Sequence, residues 1–319
     1  MRVTIVGTGA MACLFGAKLA PFAEITLLGT WAEGVASVRQ RGIILEEGGQ
    51  ETRVPIGATC DPSDCAGTEL ALVLVKSWQT ERAARQLAGC LRPDGLALTL
   101  QNGLGNLEHL QAVLGPERPA LGVTAQGATL LGPGHVRIGG KGLTSVGEHP
   151  RAQPAVDLLQ RAGFETRLAG QVESLIWGKL VVNAGINALT ALIRVPNGAL
   201  LGSSELTDLM EAAAREAAAV AAAKGIALPY PDSAARVREV ARATAANHSS
   251  MFQDVLRGAP TEIDAINGAV VREAQAVGLS APVNEVLWKL VRAGVFPNSQ
   301  LPNPKSQIQD PKSEIGNSG

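Results

Sequence analysis

Arg2-Val3-Thr4-Ile5-Val6 runs straight into Gly7-Thr8-Gly9-Ala10-Met11-Ala12, and the reading of this junction decides the fold. Arg2–Val6 is a short β-branched run, and Ala10–Leu19 has helical spacing. A G-x-G-x-x-A pattern between a strand and a helix is the setting in which such a loop holds a dinucleotide. Gly7 permits the tight turn, Gly9 lets a pyrophosphate approach the backbone, and Ala12 is small enough for helix and strand to pack closely. Thr8, Ala10 and Met11 complete the loop, and the free amides of the helix N-terminus then face the anion. The ordinary alternative is a glycine-rich turn that holds nothing.

Outward from that junction the chain alternates. Glu24–Leu28 reads as a second strand, and residues 70–75 and 96–100 are almost continuous apolar runs. Runs apolar on both faces suit a parallel sheet covered by helices on each side. The expected fold is α/β, with an N-terminal Rossmann-type doubly wound sheet over residues 1–169. Shorter β-like pieces at 136–138 and 144–146 are expected as strands added at the edge of that sheet. Past residue 170, Val172–Ile193 and the stretches 205–224, 233–246 and 261–277 all read as helices, with Gly225 stopping the second of these. An all-α C-terminal domain is therefore expected over 170–297. From Asn298 only Leu301, Ile308 and Ile315 are sizeable apolar groups, too few to offset the entropy of ordering, so 298–319 is expected to be a flexible tail.

At 319 residues the chain can hold two cores, and with aromatics at 3% they must be built from Ala, Val, Leu and Ile. The 28 basic and 29 acidic residues leave a formal charge of −1, which gives no electrostatic reason to expect nucleic acid or an anionic membrane as partner. Cys13, Cys60, Cys65 and Cys90 follow no metal-ligand spacing, and the 4 histidines include no His-x-x-x-His pair. Free thiols in a reducing compartment, and no metal, are the expectation. Residues 1–20 resemble a signal peptide only loosely, because Gly7, Gly9 and Lys18 interrupt the apolar stretch. With no run of about 18 apolar residues, no transmembrane helix is expected, and the protein is read as cytoplasmic.

The most informative segment for chemistry is Trp177-Gly178-Lys179-Leu180-Val181-Val182-Asn183-Ala184-Gly185-Ile186-Asn187. Lys179, Asn183 and Asn187 recur every fourth residue and so form one line along a helix that is apolar elsewhere. Such a helix is buried, and its polar line needs a polar neighbour because unpartnered amides and amines are costly to bury. A plain solvent face would mix Glu, Lys, Arg and Gln. One lysine with two asparagines suits a cleft in which the amine polarises a carbonyl and donates a proton, while the amides bind carboxylate or hydroxyl groups.

Lys76 and Asn102 follow the apolar runs 70–75 and 96–100, at strand ends where ligands of open α/β sheets bind. A solvated lysine and an ordinary Asn-Gly turn are the plain alternatives. Thr30, after the second strand, could meet a ribose hydroxyl or a 2′-phosphate, with Arg39 or Arg41 reaching in. Asn247-His248-Ser249-Ser250-Met251-Phe252-Gln253-Asp254 and Pro260-Thr261-Glu262-Ile263-Asp264, read alone, are helix caps, with Ser249 or Ser250 and Thr261 as the capping residues.

These pieces together resemble the ketopantoate reductase (2-dehydropantoate 2-reductase) family. The matching stretches are GTGAMA at 7–12, VKSWQT at 75–80, QNGLGNLE at 101–108 and WGKLVVNAGINALTAL at 177–192. They continue with VPNGAL at 195–200, NHSSMFQD at 247–254 and RGAPTEIDAINGAVV at 257–271. The resemblance implies reduction of a small 2-oxo acid, 2-dehydropantoate, by NADPH, with NADH as the alternative. It implies Lys179 as proton donor and Glu262 as the residue orienting the reacting groups. Asn102, Asn183, Asn187, Asn197, Asn247, Ser250, Met251, Phe252 and Gln253 would hold the substrate. Lys76, Asn102, Ala128 and Glu262 would lie on the cofactor side with the glycine loop and Thr30. The chain departs from the family at Ala12, where a third glycine is usual, and at Gly29-Thr30, where an Arg for the 2′-phosphate is common. The second departure leaves NADPH against NADH open. Another branched 2-oxo acid, and a non-catalytic dinucleotide-binding redox sensor, are the rival functions. A monomer or homodimer is expected.

Overall fold

The computed structural model describes residues 1–294, so the expected tail at 298–319 lies outside the described residues. β1 (Arg2–Val6) leads through α1 (Ala10–Leu19) to β2 (Glu24–Leu28) and α2 (Ala32–Arg41). β3 (Ile43–Glu47), β4 (Gln50–Val54) and β5 (Gly57–Thr59) come next. The alternation resumes with β6 (Thr68–Val73), α3 (Thr80–Ala88), β7 (Leu91–Thr99), α4 (Asn106–Leu114) and β8 (Pro119–Thr124). β9 (Gly127–Gly132), β10 (His135–Gly140), β11 (Thr144–Gly147), α5 (Gln153–Arg161) and β12 (Thr166–Ala169) follow. After them come α6 (Val172–Ile193), α7 (Ser204–Ala223), α8 (Ser233–Ala243), α9 (Ser250–Leu256), α10 (Asn267–Ala276) and α11 (Pro282–Arg292).

The main sheet has the order β12-β11-β8-β7-β6-β1-β2-β5. Its strands from β8 to β5 are parallel, and β11 pairs antiparallel with β8. The continuous apolar runs follow from burial on both faces. Leu70 and Leu72 of β6 join one core with Val3, Ile5, Phe15 and Leu27. Ala71 and Val73 join the opposite one with Val6, Leu28, Leu87 and Leu110. Each fully buried aliphatic side chain of this kind contributes about 1.5–3 kcal/mol. Because β1 has β2 on one side and β6 on the other, the chain reverses direction across the sheet there. The crevice at the carboxyl ends of β1 and β6 is thus a topological switch point.

Two expectations need correcting. Residues 136–138 do not extend the main sheet; they lie in β10, within a separate sheet of order β4-β3-β10-β9. Glycines at 132, 134, 139 and 140 let this ribbon fold back over α1 instead of continuing the row. The stretch 261–277 is not one helix: 261–266 forms turns, and α10 starts only at Asn267. One reason is that the Ala265 carbonyl accepts from the Leu104 amide at 3.0 Å, across to the first part of the chain, which removes it from a helical ladder. α6 is long and apolar enough to cross a membrane by composition. However, 72% of its most apolar window is buried inside the protein, where it forms the centre of the helical core.

Ala213, Ala214, Ala217 and Ala221 of α7 are fully buried beside α6, so the Ala-rich segment is a close-packing surface. α7 ends at Ala223, and Gly225 follows with φ +73°, the left-handed stop its position suggested.

Candidate active site

The glycine loop carries the geometry its sequence requires. Gly7 has φ +127°, and a Cβ there would sit 3.3 Å from the Leu74 carbonyl oxygen. Its amide donates to Leu28 O at 2.8 Å, which fastens the turn to β2. Thr8 and Ala12 are buried, Ala10 and Met11 half-buried, and Gly9 exposed. At Gly9 a Cβ would meet nothing within 4 Å, so open space lies in front of α1. No side chain caps that helix and no acid lies in its first turn. Its N-terminal amides and positive dipole end are left for an anion, which fits a dinucleotide pyrophosphate.

Along the same edge, the ends of β6, β7 and β8 present Lys76, Asn102 and Thr124. Four adjacent strands from β1 to β8 span about 14 Å. The loops are laced together: Gln101 donates through Nε2 to Val75 O at 2.8 Å and to Thr80 Oγ1 at 2.9 Å. Gly103, with φ +81°, lies against the 261–266 turns, where a Cβ would come within 2.7 Å of Ala265 Cβ. Asn102 is half-buried; its backbone carbonyl accepts from Asn106 Nδ2 at 2.9 Å, and its side-chain amide makes no hydrogen bond among the described residues.

Lys76 crosses to the helical part. Its Nζ lies 2.6 Å from Asp254 Oδ2 and 3.5 Å from Glu262 Oε2. Glu262 also accepts from the Ser77 amide at 3.0 Å, and Arg257 reaches Asp254 at 3.3 Å. Burial pulls the Lys76 pKa down, but Glu262 and Asp254 outweigh it and the net direction is upward. Burial likewise raises the Asp254 carboxyl, with Lys76 opposing. Thr261 does not act as a helix cap; its neighbour Glu262 is turned inward to this cluster. Asp254, 2% exposed, was not singled out from sequence. An acid at the end of a short segment already read as a cap carries no periodic signal that would have exposed it.

On α6, Lys179 is half-buried, and its Nζ donates to Thr124 O at 2.7 Å. Burial drives its pKa down and the charge of Glu262 pushes it up, leaving it at about 8. Asn183 is half-buried and Asn187 only 5% exposed, so the line does not face bulk water. Among the described residues no side-chain hydrogen bond satisfies either amide. Lys179, Glu262, Lys76, Asn102, Asn183 and Asn187 all lie on the elements that meet along this edge.

The remaining sequence candidates divide. Ser249, not Ser250, caps α9, accepting from the Phe252 amide at 3.1 Å, and it also accepts from Thr190 Oγ1 of α6 at 2.8 Å. That leaves the Ser250 hydroxyl free and half-buried. Met251 and Phe252 turn into the helical core and present no polar group. Gln253 donates to His248 O at 3.0 Å. Asn197 is committed internally, with Nδ2 on Thr244 Oγ1 at 2.9 Å and its backbone amide on Asn247 O at 2.9 Å, while its Oδ1 is buried without a partner. The Asn247 side chain is exposed.

Thr30 is exposed at the end of β2, and Ala128 is half-buried on β9 against the first core. Arg39 and Arg41 do not reach Thr30: they occupy the last turn of α2 and bond to Ala58 O at 2.8 Å and Ser37 Oγ at 2.7 Å. Glu46, Glu51 and His135 cluster on the smaller sheet, but Arg137 already grips Glu46 at 2.8 and 3.0 Å, so ion pairing accounts for that group.

A switch-point crevice, an uncapped glycine loop and a half-buried amine on a facing helix define a nicotinamide-dinucleotide oxidoreductase with a helical second domain. The model of the family described as ketopantoate reductase PanE/ApbA matches residues 3–151, and that of the family's C-terminal part matches 171–295. The chain belongs to the ketopantoate reductase family. It is 38% identical over 300 residues to a 2-dehydropantoate 2-reductase of Halobacterium salinarum, covering 92% of this chain and 98% of that one. A crystal structure of a PanE/ApbA family ketopantoate reductase from Ralstonia eutropha superposes with a TM-score of 0.86 at 34% identity, covering 92% and 98% of the two chains. A ternary structure of D-mandelate dehydrogenase with NADH and anilino(oxo)acetate superposes with a TM-score of 0.86 at 26% identity, covering 92% and 97%.

Proposed function

We propose that the chain reduces 2-dehydropantoate to pantoate, using a reduced nicotinamide dinucleotide and Lys179 as the proton donor. The observation that carries this reading is the Lys179 amine, held on Thr124 O at 2.7 Å with a pKa of about 8, in line with two unsatisfied asparagine amides. When bound, the dinucleotide supplies the hydride. Lys179 contributes the other half of the addition: its N–H polarises the C2 carbonyl, and its proton passes to the oxygen as that oxygen becomes an alcohol. At pH 7 a lysine of pKa about 8 is still roughly 90% protonated, yet it gives up its proton far more readily than an ordinary one.

Asn183, Asn187 and Ser250 are proposed to bind the carboxylate and hydroxyl groups of the substrate, and Asn102 to face both substrate and cofactor. Glu262 holds a negative charge that keeps Lys179 protonated, and Lys76 holds Glu262 in place. Asn197 and Asn247 act by fixing the 195–200 and 247–254 segments to each other. Met251, Phe252 and Gln253 are proposed to shape the wall behind Ser250. Gly7 through Ala12, with Ala128, are proposed to seat the dinucleotide. In this arrangement residues 1–169 bind the cofactor and 170–297 supply the catalytic helix. The four free cysteines suit a reducing compartment, which supports a cytoplasmic location. The family resemblance points to NADPH; the choice between the two dinucleotides is made at the opposite, adenosine end of the site.

Lys179→Ala should lower kcat by about 10²- to 10⁴-fold with dinucleotide affinity largely kept. Steady-state kinetics and a cofactor titration check this, and near-wild-type turnover would refute the assignment. Another 2-oxo acid is the second reading, favoured by the structural likeness to D-mandelate dehydrogenase. Initial rates over a panel of 2-oxo acids separate the two.

A further inference from the structure

We propose that this chain selects the dinucleotide with a free adenosine 2′-hydroxyl, NADH, over 2′-phosphorylated NADPH, through an acidic rim around the ends of β2 and β5. This rests on the reading that a nicotinamide dinucleotide lies along the glycine loop. In doubly wound folds the adenosine ribose sits beyond the end of the second strand, where an acid receives the 2′-hydroxyl or a cation receives the 2′-phosphate. The charge at that place therefore sets the choice.

Thr30 stands there with an exposed, uncharged hydroxyl. Gly29, just before it, donates its amide to Thr59 O at 3.0 Å, so the ends of β2 and β5 are level and one strand spacing apart, about 4.8 Å. β5 leads directly into Cys60-Asp61-Pro62-Ser63-Asp64. The Asp61 carboxylate accepts from the Ser63 amide at 2.9 Å, and that backbone hydrogen bond holds its pKa below the ordinary carboxylate range. Asp64 accepts from Thr59 Oγ1 at 2.6 Å. Glu33 is exposed in the first turn of α2, which begins two residues after Thr30. Three carboxylates thus lie on the two segments, the first turn of α2 and the turn after β5, that adjoin the end of β2 where a 2′-phosphate would sit.

Among the described residues no Lys, Arg or His forms an ion pair with any of the three. The sequence has no Lys or Arg between Lys18 and Arg39, and none between Arg53 and Lys76. Arg39 projects from the last turn of α2, where its guanidinium is committed to the β5 backbone at Ala58 O, 2.8 Å away, and pairs with none of these carboxylates. Lys76 is on the far side of β1 and is neutralised by Asp254 and Glu262. The N-terminus of α2 would by itself attract a phosphate, but its partial positive charge of about half a unit is outweighed by the full negative charge of Glu33 in its own first turn. A 2′-phosphate brings a charge of roughly −1.5 to −2 into this field.

The test is equilibrium titration of the full chain with NADH and with NADPH, followed by tryptophan fluorescence at low and at high salt. NADPH should bind about tenfold or more weakly than NADH at low ionic strength, with the gap narrowing as salt screens the rim. Glu33→Gln and Asp61→Asn should each tighten NADPH several-fold, and Thr30→Arg combined with Asp61→Asn should reverse the preference. Asparagine remains a good capping residue at position 61, and thermal melts check that the variants fold. NADPH binding as tightly as NADH, a ratio insensitive to salt, or a ratio unmoved in folded variants overturns the proposal. So does failure to bind either dinucleotide. A chain that binds NADH selectively yet reduces no 2-dehydropantoate leaves this inference standing and removes only the substrate assignment.

Discussion

At the scale of single residues, the proposed role of Lys179 predicts how the site behaves with pH. Burial lowers its pKa from 10.5 to about 8 against the pull of Glu262. Reduction needs the protonated amine, so kcat/KM should be flat at lower pH and fall as pH rises through about 8. Oxidation of the alcohol needs the neutral amine and should show the opposite limb. A pH profile without either limb near that value would contradict the donor role. The same shift has a cost in stability. A lysine whose folded pKa is depressed disfavours folding fully below that pKa, and the penalty fades between about 8 and 10.5. Lys179→Met should therefore abolish reduction yet raise Tm at pH 7, by about 2–4 °C. The gain should disappear in melts near pH 10.

Among the elements, α6 and α9 carry most of the proposed site, and their sequences disclosed it unequally. The fourfold recurrence of Lys179, Asn183 and Asn187 marks one line on α6 because helical geometry alone aligns them. α9 is only seven residues long, too short for periodicity, so its polar residues could not be sorted by sequence. Its orientation is set by Ser249, which caps the helix and also receives the Thr190 hydroxyl from α6. Ser249→Ala should cost about 0.5–2 kcal/mol in urea unfolding. It should also raise KM for the oxo acid more than it lowers kcat, because Ser250 would lose its fixed position. An unchanged KM would show that α9 is positioned some other way.

For the molecule as a whole, the Lys76, Asp254 and Glu262 cluster fastens the sheet edge to the helical part. Asp254 is 2% exposed while the Lys76 side chain is 34% exposed, so solvent screens the pair and its worth falls below that of a fully buried one. Asp254→Leu should destabilise by about 1–3 kcal/mol, and adding Lys76→Met should recover part of that, since the unpaired charge is then gone. A double-mutant cycle that comes out additive would show that the ion pair does not join the two parts.

The sequence by itself determined the parallel sheet, the glycine turn and the buried helix with its Lys-Asn-Asn line, because each depends on local spacing: period two, period 3.6, or a glycine where only glycine fits. Only the tertiary structure decided which long-range partners those elements meet. It paired β10 with β3 instead of the main sheet and turned Glu262 from a helix end toward Lys76. It also set the loop that follows β5 beside the end of β2. Contacts between residues tens to hundreds of positions apart follow from how the whole chain packs, and local spacing carries no record of them.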